Sequence, residues 1–381
     1  MDVILKRIND YNYEILENEI NNIFNYFHFL DNLSNDKKVF IKLNCVGPFS
    51  YEMGITTHPI ILDVVLKIIT KYTNNIVVGD NPAVRDINFT LKKCGLLEVI
   101  KKYNVSILKG NDVITIENKN AKTYNKFEVS KEMIEADYLI NLPKIKTHSL
   151  AYMTCAEKNF FGLIYGLNKS AWHTKANNPL DFGEAINDLY GAFLNCYNKN
   201  NIIHIADGIV GLEGEGPSTG GFAKSANAII ASSDAISVDT VACFVCGLDY
   251  NKLFITQIGA KRGYGEGDIN NIKLIGNNLN DFNDIKFLAP RDSLSNIGLR
   301  ILQIKFFKNI LLEHPKINKD KCIKCGECTR ICPVKTMQIK NKKYPTLKPI
   351  NCIRCWCCQE VCPQNAISKT NKPLLGKIFL K

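Results

Sequence analysis

The chain has 381 residues, too many for one ordinary hydrophobic core, and this length indicates two or three domains. Its composition, 46% hydrophobic and 22% charged, is that of a soluble globular protein. No uncharged apolar run reaches the roughly 18 residues of a membrane span, and the N-terminus lacks the pattern of a secretion signal. We therefore expect a cytoplasmic protein, in which the 15 cysteines favour metal binding over disulfides.

Helical and strand patterns alternate through residues 1–295. In chain order, we predict a helix over 14–33, a strand over 37–46, a helix over 59–72, a strand over 75–80, a helix over 87–103, and strands over 137–144, 201–209 and 227–233. Such alternation predicts an α/β domain, with a parallel or mixed sheet covered by helices. Ligands of these folds bind near the carboxyl ends of the strands, so the polar loops there are the candidate sites.

The first such loop, "GDNPAVRDI" at 79–87, runs from a strand through Pro82 into a helix. A helix N-terminus attracts anions, and Arg85 would assist in binding one. A plain helix start, with Asn81 as the cap and Pro82 in the first turn, explains the same residues. Both interpretations stay open.

The second and third loops are rich in basic residues. The stretch 141–166 carries Lys144, Lys146, His148 and Lys158 just before the apolar "NFFGLIYG", and "KSAWHTKANN" adds His173. A solvated charge run is seldom followed so closely by a buried segment, which favours a site that fixes an anionic group or donates a proton. His173 alone could equally be a structural histidine.

The fourth loop, "ADGIVGLEGEGPSTGG" at 206–221, contains six glycines together with Asp207, Glu213 and Glu215. Glycines permit close backbone approach, and the acids could bind a cation or a protonated group. As a connecting loop without a function, this segment would be unusually long. We therefore predict that it contributes to binding a cofactor or substrate.

Residues 296–315 form an amphipathic segment in which Arg300, Lys305 and Lys308 interrupt apolar positions. The pattern predicts a linker helix packed between domains. A peripheral helix at a membrane surface is the alternative, which the pattern favours less.

The last part of the chain contains two cysteine runs, "CIKCGECTRICPV" from Cys322 and "CIRCWCCQEVCPQ" from Cys352. Each run is C-x2-C-x2-C-x3-C-P, the bacterial ferredoxin signature, in which the fourth cysteine ligates the other cluster. We therefore predict a small α+β ferredoxin-like domain over 316–370, followed by a tail over 371–381. The expected ligands are Cys322, Cys325, Cys328 and Cys362 for one [4Fe–4S] cluster, and Cys352, Cys355, Cys358 and Cys332 for the second.

Cys357 is the surplus thiol, out of register with the repeat, and its role stays open. Zinc usually takes separated C-x2-C pairs, so the paired runs favour iron–sulfur clusters. Residues 316–381 hold 15 Lys and Arg against 3 Asp and Glu, so the net charge of +11 resides entirely here. Anionic clusters would offset that charge, and the absence of a recognised nucleic-acid motif argues against DNA or RNA as partners.

The stretches "NLPKIKTHSL", "AEKNFFGLIYG", "DGIVGLEGEGP" and "ASSDAISVDTVAC" resemble the DUF362 family, whose members are often fused to a two-cluster ferredoxin tail. The resemblance covers roughly residues 35–290 and the tail. It implies an iron–sulfur protein of anaerobic bacteria or archaea and leaves the chemistry of the larger domain open.

A second resemblance is to lactate racemase and its relatives, which hold a nickel-bearing pyridinium nucleotide with a histidine, a lysine ten positions on, and another histidine. His148, Lys158 and His173 have comparable spacing. The glycine-rich context of that lysine is replaced here by "AEKNFFG", so the likeness implies a related sheet domain more than the same cofactor.

Two functions follow from these patterns. The first is an oxidoreductase that passes single electrons through two [4Fe–4S] clusters to or from a small-molecule substrate, cofactor or redox partner protein at the N-terminal domain. The second is a non-catalytic ferredoxin-like carrier whose N-terminal domain only docks a partner. The sequence contains no clear nucleotide-binding glycine motif and leaves the oligomeric state open.

Overall fold

A computed structural model describes residues 1–83, 85–166, 168–291, 309–339, 343–371 and 373–379. Residues 296–308 of the predicted linker helix lie outside the described residues, and 309–315 lie within them. No helix of the described part is long and apolar enough to cross a membrane.

The helices of the N-terminal region frequently begin at a side-chain cap. Asn12, His58 and Asn178 each accept a backbone N–H at a helix start, and Pro59 and Pro179 occupy the first helical position, where no N–H is needed. The helices are α1 Tyr13–Tyr26, α2 Pro59–Ile69, α3 Ile87–Lys93, α4 Leu97–Lys102, α5 Lys131–Ile134, α6 Ala156–Asn159, α7 Asn168–Trp172, α8 Pro179–Leu194, α9 Ala235–Val245 and α10 Phe254–Lys261.

The strands of this region are short except for one. They are β1 Asp2–Arg7, β2 Val39–Lys42, β3 Ile76–Gly79, β4 Ser106–Ile107, β5 Val113–Glu117, β6 Lys126–Ser130, β7 Tyr138–Asn141, β8 Lys144–His148, β9 Tyr152–Thr154, β10 Ile202–Gly214, β11 Gly221–Lys224, β12 Ala228–Ser232 and β13 Lys273–Gly276.

Eleven of the described strands form one mixed sheet, with the order β13-β1-β12-β10-β7-β2-β3-β4, with β8 and β11 paired to β10, and with β9 paired to β8. The central run from β10 through β7, β2 and β3 to β4 is parallel, whereas β12 is antiparallel to both β10 and β1. The predicted α/β class is confirmed.

Helices cover both faces of the sheet, so the central strands are buried throughout. Along β2, Val39 and Ile41 face a core that includes α1 and α2, while Phe40 faces the opposite core with α8 and α9. The loops after β2, β3 and β7 therefore emerge at one edge, between the two helical layers.

The glycine-rich segment at 206–221 is not the loop that the sequence predicts, because β10 continues to Gly214. Its glycines allow neighbouring chains to approach. A Cβ on Gly208 would lie 2.6 Å from Ile145 Cδ1, and one on Gly211 would lie 2.6 Å from the Ile145 carbonyl oxygen. Only Glu215 to Gly220 connect β10 to β11.

The C-terminal region forms a small α+β unit, as predicted. Its elements are β14 Pro315–Ile317, α11 Glu327–Arg330, β15 Met337–Gln338, β16 Thr346–Leu347, α12 Cys357–Glu360, β17 Ile367–Lys369 and α13 Leu374–Phe379. Strand β14 pairs with β17 and β15 with β16, both antiparallel.

Gly54 fixes the turn that brings the Ile55 carbonyl toward β8. Its φ is +68°, and an added Cβ would lie 2.3 Å from the Gly211 carbonyl oxygen. Gly263 has a similar φ of +71°, yet nothing lies within 4 Å of its Cβ position. We expect Gly263→Ala to lower the free energy of unfolding by about 1 kcal/mol, and Gly54→Ala to lower it by more than about 2 kcal/mol. Chemical denaturation of the oxygen-free protein measures both, and equal losses would contradict this packing.

Candidate functional site

The two cysteine runs adopt the same local backbone. Residues at equivalent positions, 30 apart in the chain, take the left-handed conformation in pairs: Lys324 and Arg354, Gly326 and Trp356, Lys335 and Asn365. A left-handed tryptophan is costly for an L-residue. Trp356 stands where the first run has Gly326. Because the left-handed conformation is kept even at a tryptophan, we infer that both cysteine runs require the same tightly wrapped loop.

The first predicted ligand set lines a single cavity. Cys322, Cys325, Cys328 and Cys362 surround a space of about 350 Å³, together with apolar residues such as Ile317 and Ile367. Burial, followed by the three neighbouring thiols of this set, raises the pKa of Cys328 to about 12. Coordination to iron would offset that cost, since a coordinated thiol is deprotonated outright.

The second predicted set is also brought together. Burial raises the pKa of Cys358, and the charges that add most to this effect are those of Cys355, Cys352, Cys328 and Cys332. The described residues include no group of three His, Cys, Asp or Glu side chains placed to hold a single metal ion. A four-iron cubane binds one thiolate at each corner.

The C-terminal unit docks on the loops at the edge of the large sheet. The Lys369 ammonium lies 2.5 Å from the Glu215 carboxylate, Arg85 lies 2.5 Å from Glu327, and the Thr219 hydroxyl donates to the Cys362 carbonyl oxygen at 2.8 Å. Lys369 also lies over the Trp356 ring, 5.4 Å from its centroid. These contacts hold the cysteine loops against the N-terminal domain.

An open cavity lies between the two units, with about 800 Å³ of empty space when the solvent at its mouth is included. Its lining comes from the loops after β2 and β3, from β8 to α8, and from the C-terminal unit. The residues that matter for its chemistry are Cys45, Asp80, Lys146, His148, Lys158, Phe161, Lys169, His173, Phe182, Ile331, Cys357, Glu360 and Val361.

Three lysines make this cavity basic. Lys146 donates to the Ile55 carbonyl oxygen at 2.8 Å, and Lys169 donates to the Asn81 carbonyl oxygen. Burial lowers the pKa of Lys146 to about 7 and that of Lys169 to about 8, and in each case the Lys158 charge lowers it further. Burial also lowers the pKa of Lys158.

Two histidines complete the basic wall, both with pKa values lowered first by burial and next by the Lys158 charge. His148 Nδ1 accepts from the backbone N–H groups of Leu150 and Ala151, at 3.0 and 3.2 Å, which leaves the proton on Nε2. That nitrogen lies 3.5 Å from the Glu360 carboxylate. The pKa of His173 is about 3, so its ring is neutral at physiological pH.

The wall opposite the lysines comes from the second cysteine run. Cys357, Glu360 and Val361 line the cavity, and all three lie between the predicted cluster ligands Cys355 and Cys362. The surplus thiol of the sequence therefore faces the cavity, on the same short helix α12 that carries Cys358.

Several residues predicted for the site lie elsewhere. Lys144 and Asp207 form a buried ion pair at 2.7 Å, and Tyr11 donates to the same carboxylate at 2.9 Å. Neither residue lines the cavity. Lys144 is paired with Asp207 across β8 and β10, and the register of this strand pair shifts before Lys146, which is paired with Leu212. The pair fixes β10 to β8.

The other predicted binding groups are engaged in structural contacts. Arg85 pairs with the Glu327 side chain, and Glu215 pairs with the Lys369 side chain. Glu213 accepts from the Leu288 backbone N–H at 2.8 Å. Arg85 and Glu215 thus serve domain docking, and Glu213 fixes a loop.

Sequence reasoning missed Cys45 and Lys169. Cys45 falls within the predicted strand 37–46, but β2 ends at Lys42 and leaves Cys45 in the loop at the carboxyl end of the strand. Lys169 precedes His173 by four residues, which places both on one face of a helical turn. The four-residue spacing between Lys169 and His173 is the sequence pattern that could have indicated Lys169 as a site residue.

Residues 39–244, more than half of the chain, match the family model described as "Domain of unknown function (DUF362)", so the chain belongs to this family. Residues 321–366 match a model described as "4Fe-4S dicluster domain". The C-terminal unit is therefore an iron–sulfur domain of the electron-transfer type.

Two individual proteins are similar over part of their length. A thylakoid-associated protein of Synechocystis, sll1697, is 29% identical over 196 residues, which span 51% of this chain and 58% of that protein. The lactate racemase apoprotein from Thermoanaerobacterium thermosaccharolyticum aligns over 53% of this chain and 50% of its own, with 18% identity and a TM-score of 0.33. A likeness at that score supports no conclusion about the cavity.

Lys146 offers a direct test of the cavity's electrostatics. We expect its ammonium to titrate near pH 7, against about 10.4 for an unperturbed lysine. Lysine ¹³Cε NMR measures the midpoint, with Lys146→Gln identifying the resonance. Lys158→Met should move the midpoint upward, because Lys158 is the nearby charge that lowers it most. A midpoint near 10, or one insensitive to Lys158→Met, would contradict a buried cationic cluster.

Proposed function

We propose that this DUF362-family chain is an iron–sulfur oxidoreductase whose reducible or oxidisable substrate binds in the cavity between its two domains. The observation that carries the proposal is the composition of the cavity wall: Cys357, Glu360 and Val361 belong to the second cysteine run, while Lys146, Lys158 and His173 face them from the DUF362 domain. A molecule bound there would lie against the loop that holds the second set of cysteines.

In this proposal Cys322, Cys325, Cys328 and Cys362 hold one [4Fe–4S] cluster, and Cys352, Cys355, Cys358 and Cys332 hold the other. Single-electron transfer, typically at low potential, is the chemistry that such clusters supply when bound. The proposed domain limits are 1–295 for the DUF362 domain and 316–370 for the ferredoxin domain. Residues 296–315 connect them.

The chain's own groups supply binding and orientation. Lys158 and His173 present polar atoms to the cavity, and Lys146 and Lys169 add positive charge beside them. Phe161, Phe182, Ile331 and Val361 form the apolar part of the wall, which limits access of water to a bound molecule. His148 is fixed by its two backbone donors, so its Nε2 proton is directed toward Glu360.

A non-catalytic carrier is the competing function. A carrier needs only an exposed surface near a cluster, whereas this chain closes a basic cavity between the second cysteine run and the other domain. Mass spectrometry of small molecules that copurify with oxygen-free protein separates the two. A bound metabolite supports the enzyme, and an empty cavity across expression hosts supports the carrier.

Metal analysis of matched variants tests the cluster assignment. Oxygen-free protein should contain about eight iron and eight sulfide per chain, since each cluster has four of each. Cys357→Ser should keep this content because the thiol is surplus, whereas Cys358→Ser, the adjacent residue, should lose about half of the iron. Zinc at about one ion per run, or iron loss in Cys357→Ser, would contradict the assignment.

A further inference from the structure

The cavity contains a lysine that no protein group satisfies. Among the described residues, the Lys158 ammonium has no hydrogen-bond or ion-pair partner, and it lies over the Phe161 and Phe182 rings, 5.7 and 5.6 Å from their centroids. Lys146 and Lys169, by contrast, each donate to a backbone carbonyl oxygen. Lys158 is only partly buried, and an ammonium held there only by aromatic faces is incompletely compensated.

His173 is unsatisfied as well. Its Nδ1 has no hydrogen-bond partner within the described part of the chain, although the residue is only 4% exposed. Its ring stacks on Phe182 at 4.9 Å, so packing holds it in place beside the cavity. A buried polar nitrogen without a partner is costly, and such groups usually mark a position that a ligand or water fills.

The acidic groups of the cavity do not neutralise the lysines. Asp80 lies 2.8 Å from the Lys42 ammonium and accepts from the Cys45 backbone N–H at 2.7 Å. Glu360 is 3.5 Å from His148 Nε2 and faces Lys158 as the remaining carboxylate. Three lysines therefore share one carboxylate that is not already paired with another cation.

We propose that the cavity binds an organic oxyanion, with a carboxylate or phosphate group held at the Lys158 ammonium, beside the neutral ring of His173. Lys169 and Lys146 add positive charge around that group. The carbon part of the molecule lies against Phe161, Phe182 and Val361. This inference rests on the proposed function in identifying the bound molecule as the substrate, whereas the binding itself requires no electron transfer.

Three probes that share a phenyl ring test this directly: benzoate, its neutral isostere benzamide, and the larger phenyl phosphate. Isothermal titration of the oxygen-free, iron-loaded protein should show at least one anion binding about tenfold or more tightly than benzamide, the margin of one charge-assisted hydrogen bond. The preferred anion distinguishes a carboxylate site from a phosphate site. Equal binding of all three probes, or binding of none at millimolar concentration, would overturn the proposal.

Variants locate the site. Lys158→Met should abolish the preference for the anion, and Lys158→Arg should retain part of it. Lys175→Met is the matched control, because Lys175 is exposed on the same segment, over the Tyr124 ring, and does not line the cavity. If Lys158→Met does not fold, the ratio of the benzoate and benzamide dissociation constants in the unaltered protein still tests the proposal.

The outcome separates the two proposals. Selective anion binding in a protein that lacks iron would sustain this inference and refute the redox function. Eight iron per chain without selectivity would refute this inference alone.

Discussion

The ion pair between Lys369 and Glu215 is the most deeply buried of the described ion pairs that join the two domains. The Lys369 side chain has no exposed surface, lies 2.5 Å from Glu215, and covers the ring of Trp356. A buried pair of this kind is a weak source of net stability but can fix one docking geometry among several. Here that geometry places the second cysteine run against the loops of the large sheet and thereby creates the cavity.

The surplus thiol of the second run, Cys357, lies at the wall of this cavity. At the equivalent position of the first run stands Glu327, which pairs with Arg85 of the DUF362 domain. Both positions therefore face the neighbouring domain. In the first run this residue secures the docking, and in the second, as Cys357, it forms part of the cavity wall.

The sequence predicted the ferredoxin domain and the α/β class because both depend on local spacing, either of ligands around a cluster or of apolar residues along strands and helices. It predicted that His148, Lys158 and His173 belong to one site, and the structure brings these three together at the cavity. The sequence could not show that Lys144 and Lys146 lie in different surroundings, because two residues that are two apart on a strand normally share a face. The register shift along β10, a property of the tertiary pairing, sends them to different partners.

Diffraction from oxygen-free crystals, with anomalous data at the iron edge, tests the central claim most directly. The account predicts two four-iron peaks per chain, one within the Cys322 set and the other within the Cys352 set, with Cys357 unligated and facing the cavity. Single-atom peaks, iron bound by Cys357, or a second cluster remote from Lys158 would contradict it.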